Sequence, residues 1–178
     1  IDRTLMRPRD AIAFVNECLE AAQGTYEVTG TTIKKAEINF SRIRRDTLEQ
    51  EWQSAFPTIK RLLDLISSRP KAQFSSTELC SSNDVDSLAL EIYSHPKIDY
   101  DPVYEAAKAH CAGSAPGILF KTIVSILYRV GAVGVKLRTG ERYSFAHIDH
   151  PLLSISQIPD EDFSIRIHPM LWGTFRIN

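Results

Sequence analysis

Apolar residues recur at steps of three and four positions through the first third of the chain, and this spacing predicts helices. Asp10 stands where it can cap a first helix over residues 11–22, and Gly24 stops that helix. Thr31 or Thr32 can cap a second helix, which runs for about six turns. The chain is therefore expected to begin with two consecutive helices.

The second helix has one apolar and one charged face. Its predicted apolar stripe consists of Ile33, Ala36, Phe40, Ile43, Thr47, Leu48 and Trp52. Its charged face consists of Lys34, Lys35, Arg42, Arg44, Arg45, Asp46, Glu49 and Glu51. We expect the charged face to be solvated, because mixed charges spaced four residues apart support an exposed helix.

The middle of the chain predicts four shorter helices. Pro57 suits the first turn of a helix over 57–69, and the capping-box spacing of Ser75 and Glu78 predicts a short helix over 75–81. Helical stretches at 84–93 and 102–111 follow, separated by a turn-rich segment at 95–100.

The last third combines one apolar helix with strands. Residues 118–130 are apolar nearly all round and too long for one strand, so they predict a buried helix, which Gly131 stops. Segments 132–137 and 142–147 flank a short turn with a glycine and predict a β-hairpin. Residues 163–168 predict a further strand. The expected fold class is mainly α with a small β-hairpin or sheet.

Composition narrows the classes of function. The 178 residues are 43% apolar and 24% charged, which predicts a folded protein with room for two small modules. The net charge of −1 gives no overall attraction to nucleic acid or to an acidic membrane, so a DNA-binding prediction must rest on local patches. Three cysteines without a C-x-x-C pair fit a reduced, cytoplasmic setting. No apolar run approaches the ~20 residues that span a bilayer, so no membrane partner is expected.

The order of helix 57–69, short helix 75–81, helix 118–130 and hairpin 132–147 is that of a winged helix-turn-helix. A helical pair is inserted at about 83–112. In such a domain the last helix enters the DNA major groove and the wing reaches phosphates. The candidate contacts are Lys121, Thr122, Ser125 and Arg129 on the helix and Lys136, Arg138 and Arg142 on the wing. The alternative is a wing that packs internally or binds a protein partner, which the apolar character of the helix favours.

Short motifs at both ends resemble one class of protein. Residues 7–16 begin Arg-Pro-Arg-Asp and, with 21–22 and 32–37, look like the helical lid of AAA+ and STAND-type P-loop ATPases. Residues 167–171, Ile-His-Pro-Met-Leu, are similar to an I-H-P-x-[LF] segment in the winged-helix end of a group of bacterial P-loop ATPases. The resemblance implies a lid-like segment over 1–55 and a winged-helix-like domain over 56–178.

The resemblance also implies a role for an arginine at the start of the lid. In related ATPases such a residue reaches the nucleotide phosphates and senses their state, a task that suits a forked, permanently charged guanidinium. Arg9 is the first candidate for nucleotide sensing and Arg7 the second; the alternative is that both are ordinary solvated residues with Pro8 fixing the start of the helix.

The chain has no G-x-x-x-x-G-K-[ST] loop, so the resemblance implies no cofactor here and assigns ATP and Mg²⁺ to a parent protein with an upstream ATPase domain. The first residue is Ile1 rather than methionine, and we expect the native protein to be longer. The expected function is a non-catalytic module that relays nucleotide state to a protein partner or through self-association, in a setting such as bacterial defence. The alternative is a winged-helix module that binds duplex DNA.

The histidines of this sequence give only weak support for a metal site or a catalytic site. His147, Asp149, His150 and the distant His168 would have to gather to hold a metal, and no cysteine or carboxylate set completes them. His168 before Pro169 fits a hydrogen-bonded structural histidine better. Because no nucleophile, base and orienting group come together, we expect no enzyme activity and no metal.

Overall fold

The computed structural model describes residues 5, 7–69, 71–80, 83–95, 101–115 and 117–177. The helices are α1 (Pro8–Ala21), α2 (Gly30–Trp52), α3 (Ile59–Ser67), α4 (Ser76–Cys80), α5 (Asn83–Ser94), α6 (Pro102–Cys111) and α7 (Ile118–Arg129). The strands are β1 (Gln73–Ser75), β2 (Val133–Lys136) and β3 (Ser164–Ile167), and short 3-10 turns lie at Ile155–Gln157 and Pro169–Leu171. The fold is mainly α with one small sheet, as the sequence predicts. The turn predicted at 95–100 lies, apart from His95, outside the described residues.

The start of α1 differs from the prediction. The helix begins at Pro8 with Arg7 as its N-cap, because a proline is tolerated in the first turn, where its missing N–H costs no helical hydrogen bond. Asp10 therefore lies inside the first turn and is not the cap. It is buried, and its carboxylate accepts a 3.4 Å hydrogen bond from the backbone N–H of Leu5.

The buried stripe of α2 is rotated relative to the predicted one. A capping box formed by Thr29 and Thr32 starts the helix, two or three residues before the predicted cap. The buried positions are Thr32, Ala36, Phe40, Ser41, Arg44 and Leu48, which mostly follow steps of four. Ile33 and Ile43, predicted to be buried, are more than a third exposed. Arg44, predicted to be solvated, is only 4% exposed.

The capping box predicted for α4 is confirmed. The Glu78 carboxylate accepts a hydrogen bond from the backbone N–H of Ser75 at 2.8 Å, and the Ser75 hydroxyl accepts one from the backbone N–H of Glu78 at 3.0 Å. These paired bonds satisfy backbone donors that a helix start leaves free. They hold α4 directly against the end of β1.

The sheet has the antiparallel order β1-β3-β2, so the predicted hairpin is wrong. β2 pairs with β3, and the segment predicted as the second hairpin strand meets β2 only in an isolated bridge between Val135 and Ser144. Just beyond this bridge the Asp149 carboxylate accepts the Phe145 backbone N–H at 2.9 Å. This bond closes a turn just after the bridge. The ladder partner of β2 is therefore β3 and not the segment 142–147.

One apolar cluster extends from Leu5 and Leu48 through the sheet and α7 to Ile177. The C-terminal turn lies on α2, where the backbone N–H of Thr174 donates to the Ser41 hydroxyl at 2.9 Å. The predicted division at 55 and 56 remains a prediction. In the described part of the chain, no helix has the length and apolar character needed to cross a membrane.

Candidate functional site

The two arginines predicted to sense a nucleotide lie together on the surface at the start of α1. The side chain of Arg7 is 48% exposed and that of Arg9 is 64% exposed. Both face the carboxylate of Glu51 at the end of α2, with N–O distances of 3.6 Å for Arg7 and 2.7 Å for Arg9. One carboxylate thus holds two guanidiniums near each other at an accessible position.

A buried ion pair lies beneath this pair of arginines. Arg44 Nη1 is 3.2 Å from Asp10 Oδ1, and both side chains are 5% exposed or less. Burial lowers the pKa of Arg44, although Asp10 and Glu51 oppose that shift and Arg9 and Arg7 add to it. The Nε and Nη2 atoms of Arg44 are buried without a hydrogen-bond partner in the part of the chain that the structure describes. Sequence pattern missed this pair because a charged residue on a charged helix face indicates exposure.

The outer face of α1 is apolar and has no partner in the described part of the chain. Ile12 is 62% exposed, Val15 is 54% exposed and Leu19 is 58% exposed. Steps of three and four residues place these three side chains on one face of the helix. We call them the α1 stripe. It begins three positions after Arg9, and this spacing places Arg9 next to Ile12 on the helix surface.

The polar face predicted for α7 makes contacts within the chain. Lys121 Nζ lies 2.7 Å from the exposed Asp160 carboxylate, and the Ser125 hydroxyl donates to the Leu153 carbonyl at 2.6 Å. Thr122 is buried and donates to the Ile118 carbonyl on its own helix. Segment 153–160 therefore lies against the face that was predicted to contact DNA.

Arg129, at the end of α7, is exposed but stacked. Its guanidinium carbon lies 5.6 Å from the ring centroid of Trp52 and 5.4 Å from that of Phe56. The two rings stack on each other with centroids 5.7 Å apart. The cation–π contacts hold the side chain in place without neutralising its charge.

The predicted wing residues differ in their surroundings. Arg142 forms an ion pair with Asp149, whose pKa is lowered first by the hydrogen bond from the Phe145 backbone and also by Arg142. Arg138 is exposed, and Lys136 lies at the end of β2. Neither Lys136 nor Arg138 is within ion-pair distance of a carboxylate of the described residues.

The histidines do not form a metal site in the described part of the chain, where no suitable group of ligands was found. The His147 and His168 rings pack edge to face with centroids 4.9 Å apart. His168 Nδ1 accepts the Met170 backbone N–H at 3.1 Å, as expected for a structural histidine. Burial lowers the pKa of His147; Asp149 opposes the shift and Arg7 adds to it.

Comparison with known proteins gives a coarse placement. Residues 1–49, which contain α1 and most of α2, match the family described as the FunZ-associated C-terminal helical domain. In an alignment of 184 positions, the chain is 25% identical to an 80.3 kDa protein of transposon gamma-delta from Escherichia coli strain K12. That alignment covers 98% of this chain and 23% of the relative, so the chain spans about a quarter of its length. No solved structure shows significant similarity to this chain.

The matched segment contains Arg7, Arg9, Arg44 and the α1 stripe. In its first two helices the chain is thus similar to a C-terminal helical domain that is associated with a larger protein. It is also similar along nearly its whole length to part of a large transposon protein.

Proposed function

We propose that this chain is a non-catalytic C-terminal module of a P-loop ATPase, which couples the nucleotide state of an upstream domain to a partner or effector, as in bacterial defence. The observation that carries the proposal is the surface at the start of α1, where Arg7 and Arg9 adjoin the α1 stripe. A guanidinium pair next to an uncovered apolar face suits docking on a domain that presents phosphates at its edge.

The ion pairs with Glu51 leave this surface able to respond to a phosphate. An exposed ion pair contributes only about 0–1 kcal/mol, so Arg9 can leave Glu51 at little cost. A nucleotide phosphate carries more negative charge than a carboxylate and offers several acceptor oxygens. Arg9 would therefore exchange Glu51 for the phosphate, and the α1 helix would move or stiffen with that exchange.

The α1 stripe supplies the apolar part of the interface. Exposed apolar side chains in a contiguous group mark a site of protein contact more often than single scattered ones do. Because the stripe lies on the same helix as Arg9, a domain that docks on it brings its own edge to the arginines. The proposed occupant is the upstream ATPase domain of the parent protein.

Replacing Arg9 with alanine in the full-length parent protein is expected to slow ATP hydrolysis about tenfold, equivalent to ~1.4 kcal/mol. The loss follows from removing a charge that contacts the phosphates, and Arg9→Lys should restore part of it because it keeps the charge without the fork. Turnover and ATP affinity are measured separately, with the melting temperature as a check on folding.

Arg42→Ala is the matched control for this experiment. Arg42 is also exposed, and it donates a hydrogen bond to Asn39 on its own helix at 2.8 Å. Equal effects of the Arg9 and Arg42 substitutions would contradict the proposal. So would a parent sequence that lacks a G-x-x-x-x-G-K-[ST] loop, since no nucleotide site would then be present for Arg9 to reach.

The order of elements favours a second function, a winged-helix module that binds duplex DNA. Helix α3, strand β1, helix α4, helix α7 and strands β2 and β3 follow one another as in a winged helix, with α5 and α6 inserted. Lys136, at the end of β2, and Arg138, in the segment that follows it, would contact phosphates. The contacts of Lys121 and Ser125 with segment 153–160 weigh against base reading by α7.

Binding of a fluorescent DNA duplex, followed by anisotropy at two salt concentrations, tests this second function. If it holds, binding weakens steeply with salt, and Arg138→Ala reduces the slope of log K against log salt by about one. Absence of salt-dependent binding at micromolar protein would rule it out.

A further inference from the structure

A pocket lies where the start of α1, the ends of α2 and α7, and segment 146–152 meet. Its volume is about 430 Å³. Arg7, Arg129 and His147 supply charged or polar side chains to its lining, and Leu5, Trp52 and Leu152 are among its apolar walls. A volume of this order falls within the range of roughly 300–1,000 Å³ that is typical of small-molecule sites.

The charges around the pocket are predominantly positive. None of its described lining residues is acidic. Arg129 is held over Trp52 and Phe56 by cation–π contacts and has no carboxylate partner among the described residues. Arg7 lies 3.6 Å from Glu51, a long contact that leaves most of its hydrogen-bonding capacity unused. Two guanidiniums thus line one small concave space.

The third polar lining residue, His147, is held in place by its neighbours. Its Nδ1 is buried and has no hydrogen-bond partner among the described residues. The ring is fixed between Phe145 and His168, with centroid distances of 5.7 Å and 4.9 Å. His147 therefore forms a rigid aromatic part of the pocket wall, with its Nδ1 shielded from the open space of the pocket.

We propose that this pocket binds a small aromatic organic phosphate of mononucleotide size. The forked guanidiniums of Arg7 and Arg129 suit a phosphate, because each presents parallel N–H donors to two of its oxygens. Trp52 and the aliphatic walls suit a flat, largely apolar ring. The pocket shares Arg7 with the surface at the start of α1 but does not include Arg9, and its existence does not depend on a parent ATPase.

Titration of the 178-residue chain with AMP, inorganic phosphate and adenosine tests the proposal. The chain has two tryptophans, and Trp52 lines the pocket, so its fluorescence reports binding. We expect AMP to bind saturably with a Kd below about 1 mM, and adenosine to bind at least about tenfold more weakly because it lacks the charge. Calorimetry on the same samples gives the stoichiometry.

Arg129→Gln is expected to weaken AMP binding about tenfold while changing adenosine binding little. Arg138→Gln is the matched control, since Arg138 is exposed in the segment after β2 and does not line this pocket. If Arg129→Gln lowers the melting temperature enough to unfold the chain, Arg7→Gln replaces it, because Arg7 lies at the surface.

Three outcomes would overturn the proposal. One is the absence of saturable AMP binding up to about 1 mM. Another is equal affinity for AMP and adenosine, and the third is AMP binding that Arg129→Gln and Arg138→Gln reduce equally. Because the experiment uses this chain alone, its failure leaves the proposed ATPase coupling untouched, and failure of the Arg9 experiment leaves the pocket untouched.

Discussion

Replacing Asp10 with alanine is expected to destabilise the chain by about 3–5 kcal/mol, because it leaves the Arg44 guanidinium buried without its opposing charge. Two Arg44 nitrogens already lack a hydrogen-bond partner among the described residues, so little else in that part of the chain compensates the charge. The backbone N–H of Leu5 loses its acceptor in the same substitution. Chemical denaturation, with the free energy of unfolding extrapolated to water, measures the loss.

Two further variants separate the buried charge from surface electrostatics. Glu51→Ala removes the exposed partner of Arg7 and Arg9 and is expected to cost about 0–1 kcal/mol. Combining Asp10→Ala with Arg44→Met should recover a large part of the stability, since an apolar pair of similar volume needs no charge compensation. Equal losses in Asp10→Ala and Glu51→Ala would show that the Asp10–Arg44 pair has no special role.

Replacing Gly173 with alanine is expected to destabilise the chain by about 1–3 kcal/mol through overpacking. A Cβ at this position would lie 2.9 Å from the Glu37 carbonyl oxygen and 2.9 Å from the Ile38 Cα. Both are backbone atoms of α2, which cannot move aside as the end of a flexible side chain can. The C-terminal turn would have to lift from α2, which also strains the hydrogen bond from Thr174 to Ser41.

Gly30→Ala provides the control on the same helix. Gly30 is the first residue of α2, and a Cβ there meets no atom of the described residues within 4 Å. The substitution should leave stability unchanged or raise it by about 0.4–1 kcal/mol, because alanine reduces the freedom of the unfolded chain. Thermal melts of the two alanine variants check the pair, and a loss in Gly30→Ala as large as that in Gly173→Ala would contradict close packing as the cause.

Local patterns predicted the helices well because local forces determine them. The capping box of Ser75 and Glu78 forms as its spacing predicts, and the mainly apolar run at 118–129 is a largely buried helix that ends before Gly131. Gly131 has φ +80°, a conformation that glycine adopts without strain. These features depend on residues within a few positions of one another.

Long-range pairings could not be predicted in this way. Arg44 is buried because Asp10, which is 34 positions away, lies against it, and nothing in the pattern of α2 indicates that partner. The hairpin was the natural expectation for two β-rich segments joined by a short turn, yet β2 pairs with β3. The pocket between α1, α2 and α7 likewise depends on segments that are distant in sequence.

The arrangement of the arginines in the candidate site was only partly predictable from local sequence patterns. Their location at the start of α1 follows from the sequence, whereas their shared contact with Glu51 requires α1 and α2 to fold back on each other. The contacts of Ser125 and Lys121 with segment 153–160 also required the structure, because that segment has little regular periodicity.

The central place of β3 in the sheet constrains how the chain is made. β1 and β2 do not pair with each other, and among the described strands each pairs only with β3. Residues 164–167 of β3 leave the ribosome about ninety residues after β1. The helices can form as they emerge, but the sheet and the contact of Thr174 with α2 form only after residues 164–174 have been synthesised. Until then two strand edges stay unpaired, and the nascent chain is most exposed to chaperones, proteases and wrong partners in that interval.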